Sequence, residues 1–137
     1  MKKNPLKKIK DALWQECRVF FKRNYLVNDI HKCFTCSKPI EKSNCQLGHF
    51  IPSSVGGALL RYHPHNLRLQ CYYCNINLGG NGSEFYKRLV IEKDQEYVDR
   101  LFVLKSKTTK ADIIFFTKLK ELYEEGKEQN IVSFLNR

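Results

Sequence analysis

Two pairs of cysteines share one spacing, Cys33-Phe-Thr-Cys36 and Cys71-Tyr-Tyr-Cys74. Two residues between cysteines let a single tight turn present both sulfurs to one ion, and four thiolates complete the tetrahedral shell that Zn2+ prefers. Such a shell is closed, so the ion it predicts is structural, with no position left for a reacting water. The 34 residues between Cys36 and Cys71 exceed the usual ribbon spacing and predict an insertion or hairpin between the two turns. The alternative is that the pairs are free buried cysteines or a redox dithiol. Cys17 and Cys45 have no partner at this spacing and receive no role.

Between the cysteine pairs stand Gly48-His49-Phe50-Ile51-Pro52, then Gly56-Gly57, then His65-Asn66-Leu67, and Asn75 follows the last cysteine directly. A histidine on a hairpin beside a metal-binding side chain at a helix start suits phosphodiester hydrolysis. The imidazole would take a proton from water while Mg2+ offsets charge on the phosphate. A histidine followed by apolar residues is also how a structural histidine reads. His63 and His65 read as loop or backbone contacts, and His31 as a surface residue.

These residues need elements to position them. Asn4-Pro5 is an N-cap with proline at the first helical position, and Leu6, Ile9, Leu13, Cys17 and Phe20 recur at helical spacing, with Trp14 and Phe21 widening the stripe. A basic amphipathic helix over 5–25 follows, packed on its own domain or laid on a membrane surface. The stretch 30–80 holds three of the four prolines, all four histidines and five of the six cysteines. It reads as loop-rich, with turns at Gly56-Gly57 and Gly79-Gly80 and short strands at His49-Phe-Ile and Leu67-Arg-Leu. Asn81 with Glu84 forms a capping-box-like helix start, Asp94 caps a second helix, and Thr109 caps a third that ends before Gly126. The expected fold class is α+β: residues 1–28 a basic helix, 29–93 a small finger stapled by zinc, 94–137 a helical extension. The apolar faces of that extension serve either a bundle within the chain or a two-fold homodimer.

Charge narrows the partner. The chain of 137 residues carries 24 Lys and Arg against 14 Asp and Glu, a net of +10. Residues 1–38 hold ten basic and three acidic residues, so the positive field is concentrated there. That excess favours a polyanion, nucleic acid or an anionic surface. The cations expected on phosphate are Lys2, Lys3, Lys7, Lys8, Lys10, Arg18, Lys22 and Arg23, with Arg61 and Arg68 nearer a scissile bond. No apolar run approaches the roughly 18 residues of a spanning helix. The basic start is not followed by an apolar region, so neither membrane insertion nor secretion is expected, and a cytoplasmic location is.

The ordered pattern resembles a known family. Cys33–Cys36, Gly48-His49-Phe50, Arg61-Tyr62, Asn66, Gln70-Cys71-Tyr-Tyr-Cys74-Asn75 and Gly80-Asn81 are similar to the NinG (Rap) recombination proteins of lambdoid phages. Through them the chain resembles the zinc-stapled HNH, or ββα-metal, nuclease finger. The Cys-x-x-Cys-Asn step is also similar to that of the T-even phage endonuclease VII. The resemblance implies a metal-dependent, structure-selective DNA endonuclease acting on branched recombination intermediates, Holliday-type junctions and D-loops, in the host cytoplasm. It implies His49 as general base, Asn66 as the residue steadying the loop of the base, and Asn75 as a ligand of catalytic Mg2+ or Mn2+. One position departs: the related nucleases generally offer a carboxylate just before the base, where this chain has Gln46-Leu47-Gly48. A neutral amide is a weaker ligand for a hard cation. The ion is then left to Asn75, phosphate oxygens and water, with Glu84 a further candidate if it is not a helix cap. The alternative is a non-catalytic zinc-stapled DNA-binding or recombination adaptor protein.

Overall fold

A computed structural model describes residues 4–137. Lys2 and Lys3, expected on phosphate, lie outside the described residues. Asn4 caps α1 (Pro5–Tyr25): its Oδ1 accepts the Lys7 backbone N–H at 2.7 Å, and Pro5 follows where no N–H is needed. The chain then forms β1 (Ile30–Lys32), β2 (Pro39–Glu41), β3 (Gln46–His49), α2 (Ser53–Arg61) and β4 (Leu67–Gln70). Four helices complete it: α3 (Gly82–Glu92), α4 (Gln95–Lys105), α5 (Ile113–Glu125) and α6 (Glu128–Leu135). Small antiparallel sheets flanked by helices make the fold α+β, as the sequence indicated. Among the described residues no helix is long and apolar enough to cross a membrane.

The two sheets are hairpin-sized and each carries part of the chemistry. β1 and β2 pair with Ile30 opposite Glu41, and the first cysteine pair occupies the turn between them. β3 and β4 pair with Gln46 opposite Gln70 and His49 opposite Leu67. The structure departs from the sequence pattern at two places in this region. The strand ends on His49 rather than beginning there, because Asn66 captures the backbone of Phe50 and Ile51 into a loop. The Gly56-Gly57 pair lies within α2, which kinks at Gly57 with φ of 69°, a conformation open to glycine at little cost.

One continuous apolar core joins the N-terminal helix, the finger and the C-terminal helices. The buried face of α1 (Leu13, Cys17, Phe20, Phe21) lies on that of α5 (Phe116, Leu119, Leu122, Tyr123). The Phe20 and Tyr123 rings meet edge to face at 5.4 Å, and the Tyr123 hydroxyl donates to the Tyr62 carbonyl. Burial pushes the Cys17 thiol well up, so Cys17 is an inert core residue and not a ligand. Asp94 caps α4 through the Tyr97 N–H, and Gly126 ends α5 with φ of 78°. Thr109 is not the cap of α5. Asp112 is, accepting the Phe115 N–H at 2.9 Å, since it stands one residue before the helix and Thr109 four.

A buried polar network closes the far side of the core. His63 donates through Nε2 to Asn136 Oδ1 at 2.8 Å and accepts the His65 N–H at Nδ1. Both ring nitrogens are thus committed in the neutral tautomer, and protonating Nδ1 breaks the second bond. Burial holds His63 at about 4, with the Asn136 bond opposing. Burial first, then neighbouring His63 and Arg68, hold His65 at about 3. The unfolded chain therefore takes up these protons first, near the ordinary value of 6.5. This stabilisation is complete above that pH and is lost as pH falls toward 4. Urea midpoints should accordingly drop between pH 7 and pH 5 by an amount that His63→Gln reduces. An identical drop in the variant would contradict the assignment.

Candidate metal centre and adjoining cleft

The four sulfurs of Cys33, Cys36, Cys71 and Cys74 lie within 4.8 Å of one another. Zn–S bonds of about 2.3 Å set tetrahedral S–S edges of about 3.8 Å. The Cys36 and Cys71 sulfurs stand at that separation, 3.8 Å apart, and the cluster could hold one zinc ion. Its surroundings suit thiolates. The Cys74 N–H points to the Cys71 sulfur at 3.4 Å, and the Asn81 amide to the Cys74 sulfur at 3.7 Å. Burial opposes ionisation of Cys33, but the Thr35 hydroxyl and three backbone N–H groups outweigh it and hold the thiol at about 6. Cys36 is pushed up to about 12, first by desolvation, with the other thiols adding to it. A divalent cation resolves that conflict.

Asn81 does this in place of the capping role expected of it. It sits in the left-handed region with φ of 53° and makes no cap bond, which frees its amide for the sulfur. Gln70 adds a second clamp between the cysteine turns, donating to Thr35 Oγ1 at 3.0 Å and to the Gly80 carbonyl at 2.9 Å. Its Oε1 is buried, has no hydrogen-bond partner among the described residues, and faces Gly48. A Cβ at Gly48 would stand 1.8 Å from that oxygen and 3.0 Å from Asn75 Oδ1. Glycine alone lets both amides close over β3.

That closure brings His49 and Asn75 to one polar cleft of about 420 Å3, lined also by Trp14, Arg18, Cys45, Gln46 and Leu47. The His49 Nε2 lies 2.9 Å from the Arg61 carbonyl. A carbonyl can only accept, so Nε2 carries the proton and Nδ1 is left as the basic nitrogen. Trp14 stacks on the imidazole, ring centroids 5.3 Å apart and planes 9° from parallel. Burial lowers the His49 pKa below its ordinary value, with the Arg61 carbonyl opposing and the Arg61 charge assisting. Asn66 is fully buried. Its amide bridges the N–H and C=O of Ile51 at 2.8 and 3.0 Å and also holds the Leu60 carbonyl, fixing the loop after His49.

The remaining expected site residues fall into place unequally. Glu84 neither caps α3 nor joins the cleft; it pairs with Arg88, which also reaches Ser37 beside the first cysteine turn. Among the described residues, the cysteine tetrad is the only cluster of three or more His, Cys, Asp or Glu able to hold a metal. Arg18 is in the cleft, and Lys10 and Arg61 border a groove beside Trp14. Lys22 and Arg23 line a further groove with Lys42. Lys7 pairs with Asp11 at 3.6 Å, and Lys8 is exposed. Arg68 is corrected: it is buried, donating to Glu92 at 2.9 Å, to the Tyr97 hydroxyl and to two backbone carbonyls. Its guanidinium is committed to the core and not offered to phosphate. Sequence reasoning missed Trp14 as a partner of His49, although its spacing of four from Arg18 placed both on one helix face. The Arg61 carbonyl carried no signal at all, being backbone.

Protein purified without chelator should hold about one zinc per chain, and Cys71→Ser should lose both the zinc and cooperative unfolding. Metal analysis returning less than about half an equivalent would contradict the centre.

No curated protein and no solved structure is significantly similar to the chain. The family model described as Bacteriophage Lambda NinG protein matches residues 1–130. With nearly the whole length matched, the chain belongs to the NinG protein family of phage lambda, which connects it to phage recombination.

Proposed function

We propose that this protein is a metal-dependent, structure-selective DNA endonuclease of the HNH type, acting on branched recombination intermediates such as four-way junctions and D-loops. The observation that carries the reading is the His49 tautomer. Its Nε2–H is spent on the Arg61 carbonyl, leaving a desolvated, neutral Nδ1 as general base in a cleft shared with Asn75 and Arg18. Arg18 would hold a phosphate, and the attacking water would give its proton to Nδ1. Membership in a recombination-related phage family supports DNA as the substrate. Bound Mg2+ or Mn2+ would supply Lewis-acid stabilisation of the phosphate and leaving oxygen. The oxygen donors this chain offers are the amides of Asn75 and Gln46, with no carboxylate in the cleft lining. Such a site is filled weakly until DNA phosphate completes it. Symmetric cutting of a junction would require two copies of the chain.

Purified protein incubated with labelled four-way, forked and linear DNA in Mg2+ or Mn2+ should cut the branched forms preferentially. His49→Ala should abolish cutting while retaining zinc and DNA affinity. Because the base must be neutral and its pKa lies below 6.5, activity should hold at pH 7 and decline only at a pH below that ordinary value. A His49→Ala protein that cuts at the wild-type rate would refute the assignment. The carboxylate-free lining favours one alternative, a non-catalytic DNA-binding or adaptor protein, and binding without cutting by both proteins would establish it.

Asn75→Asp tests the ligand argument separately. The added charge should lower the Mg2+ concentration needed for half-maximal cutting. An unchanged requirement would place the ion elsewhere.

A further inference from the structure

We infer that the second cysteine turn is a base-stacking surface, on which Tyr72 and Tyr73, backed by Ile76, receive unpaired nucleobases where DNA strands separate. The inference rests on the DNA-binding part of the proposed function and not on chemistry at His49. Tyr72, Tyr73 and Ile76 are 57%, 59% and 51% exposed, a cluster of large apolar side chains within one helical turn. The chain has seven tyrosines. Tyr25, Tyr62, Tyr86, Tyr97 and Tyr123 each pack against another ring, whereas among the described residues Tyr72 and Tyr73 meet none and neither of their hydroxyls is hydrogen-bonded.

Their position says what could use them. Tyr72 immediately precedes, and Tyr73 opens, the π-helical turn Tyr73–Asn77 that carries Asn75, a residue lining the cleft. From Lys42 to Ser83 the chain carries no Asp or Glu, and Arg18 lines the cleft together with Asn75, so a polyanion meets no opposing carboxylate on this segment. Four thiolates around one divalent cation would still leave excess negative charge at the turn, which would disfavour phosphate directly on it. An uncharged π-face meets no such penalty. Stacking on tyrosine is available to any base, but only where pairing has released it, so the surface would recognise a strand junction without reading sequence. The bound strand would then run from stacked bases on the turn to a phosphate at Arg18 and His49.

The test uses the full chain in buffer without added Mg2+ or Mn2+, so that binding is read whether or not the protein cuts. The probe is a forked DNA carrying 2-aminopurine at an unpaired position next to the fork, compared with a fully paired duplex of equal length. Wild type should prefer the fork and quench the fluorophore. Tyr72→Ala/Tyr73→Ala should retain zinc, bind the duplex as before and bind the fork about tenfold more weakly. Tyr72→Phe/Tyr73→Phe should bind both as wild type does. Equal fork affinity in the alanine pair, or equal losses on fork and duplex, would overturn the inference. So would loss of binding to phosphatidylglycerol vesicles in place of the fork. If the alanine pair loses zinc, the wild-type fluorescence decides, and an unquenched fluorophore overturns it. Failure to cut DNA in Mg2+ would count against the nuclease reading alone and leave this comparison standing.

Discussion

Four sulfurs gathered within 4.8 Å bring together the two ends of the stretch between residues 33 and 74. Neither sheet in that stretch has more than two strands, and an isolated pair of short strands is marginal in water. A zinc ion tying Cys33 and Cys36 to Cys71 and Cys74 would close the intervening chain into one loop whose ends cannot drift. The Gln70 amide reinforces the same junction by joining Thr35 to Gly80. β3 is then held against β4 at a separation that a Gly48 side chain would prevent. His49, the last residue of β3, inherits its position from that chain of constraints. So does Asn75, the first residue after the tetrad.

The helices contribute what a metal staple cannot. α1 supplies a roof over the imidazole through Trp14 and a cation through Arg18, and its buried face on α5 sets where that roof sits. Desolvation by the roof lowers the His49 pKa, while the Arg61 carbonyl decides which nitrogen keeps the proton. These two influences act on different properties. One sets when the ring is neutral, and the other sets which face is basic. Arg68 shows the opposite use of a cation, its charge balanced by Glu92 and covered by Phe34 and Tyr97 in the service of packing.

Much of this was legible in the chain. The cysteine spacing, the Asn4 and Asp94 caps and the Gly126 stop are local signals, and each depends on residues a few positions apart. Legibility failed where a distant partner decided the outcome. Asn81 reads as a cap until Cys74 is brought to it, and Arg68 reads as a phosphate-binding cation until Glu92 and Tyr97 close over it. Gly56-Gly57 reads as a turn, but Leu59 and Leu60 are buried beside it and draw the segment into a kinked helix. The Trp14–His49 stack joins residues from separate elements, and no periodicity in either one announces it.

The dependence of the His49 site on the cysteine staple can be read at the imidazole itself. Nitrogen NMR of the His49 ring, followed while a chelator withdraws zinc, reports the tautomer directly. The bond to the Arg61 carbonyl predicts a protonated Nε2 and an unprotonated Nδ1, and with zinc in the tetrad that signature should disappear in proportion to the zinc removed. A tautomer signature that persists unchanged after all zinc has been withdrawn would contradict the account, because the ring would then be held by something other than the staple.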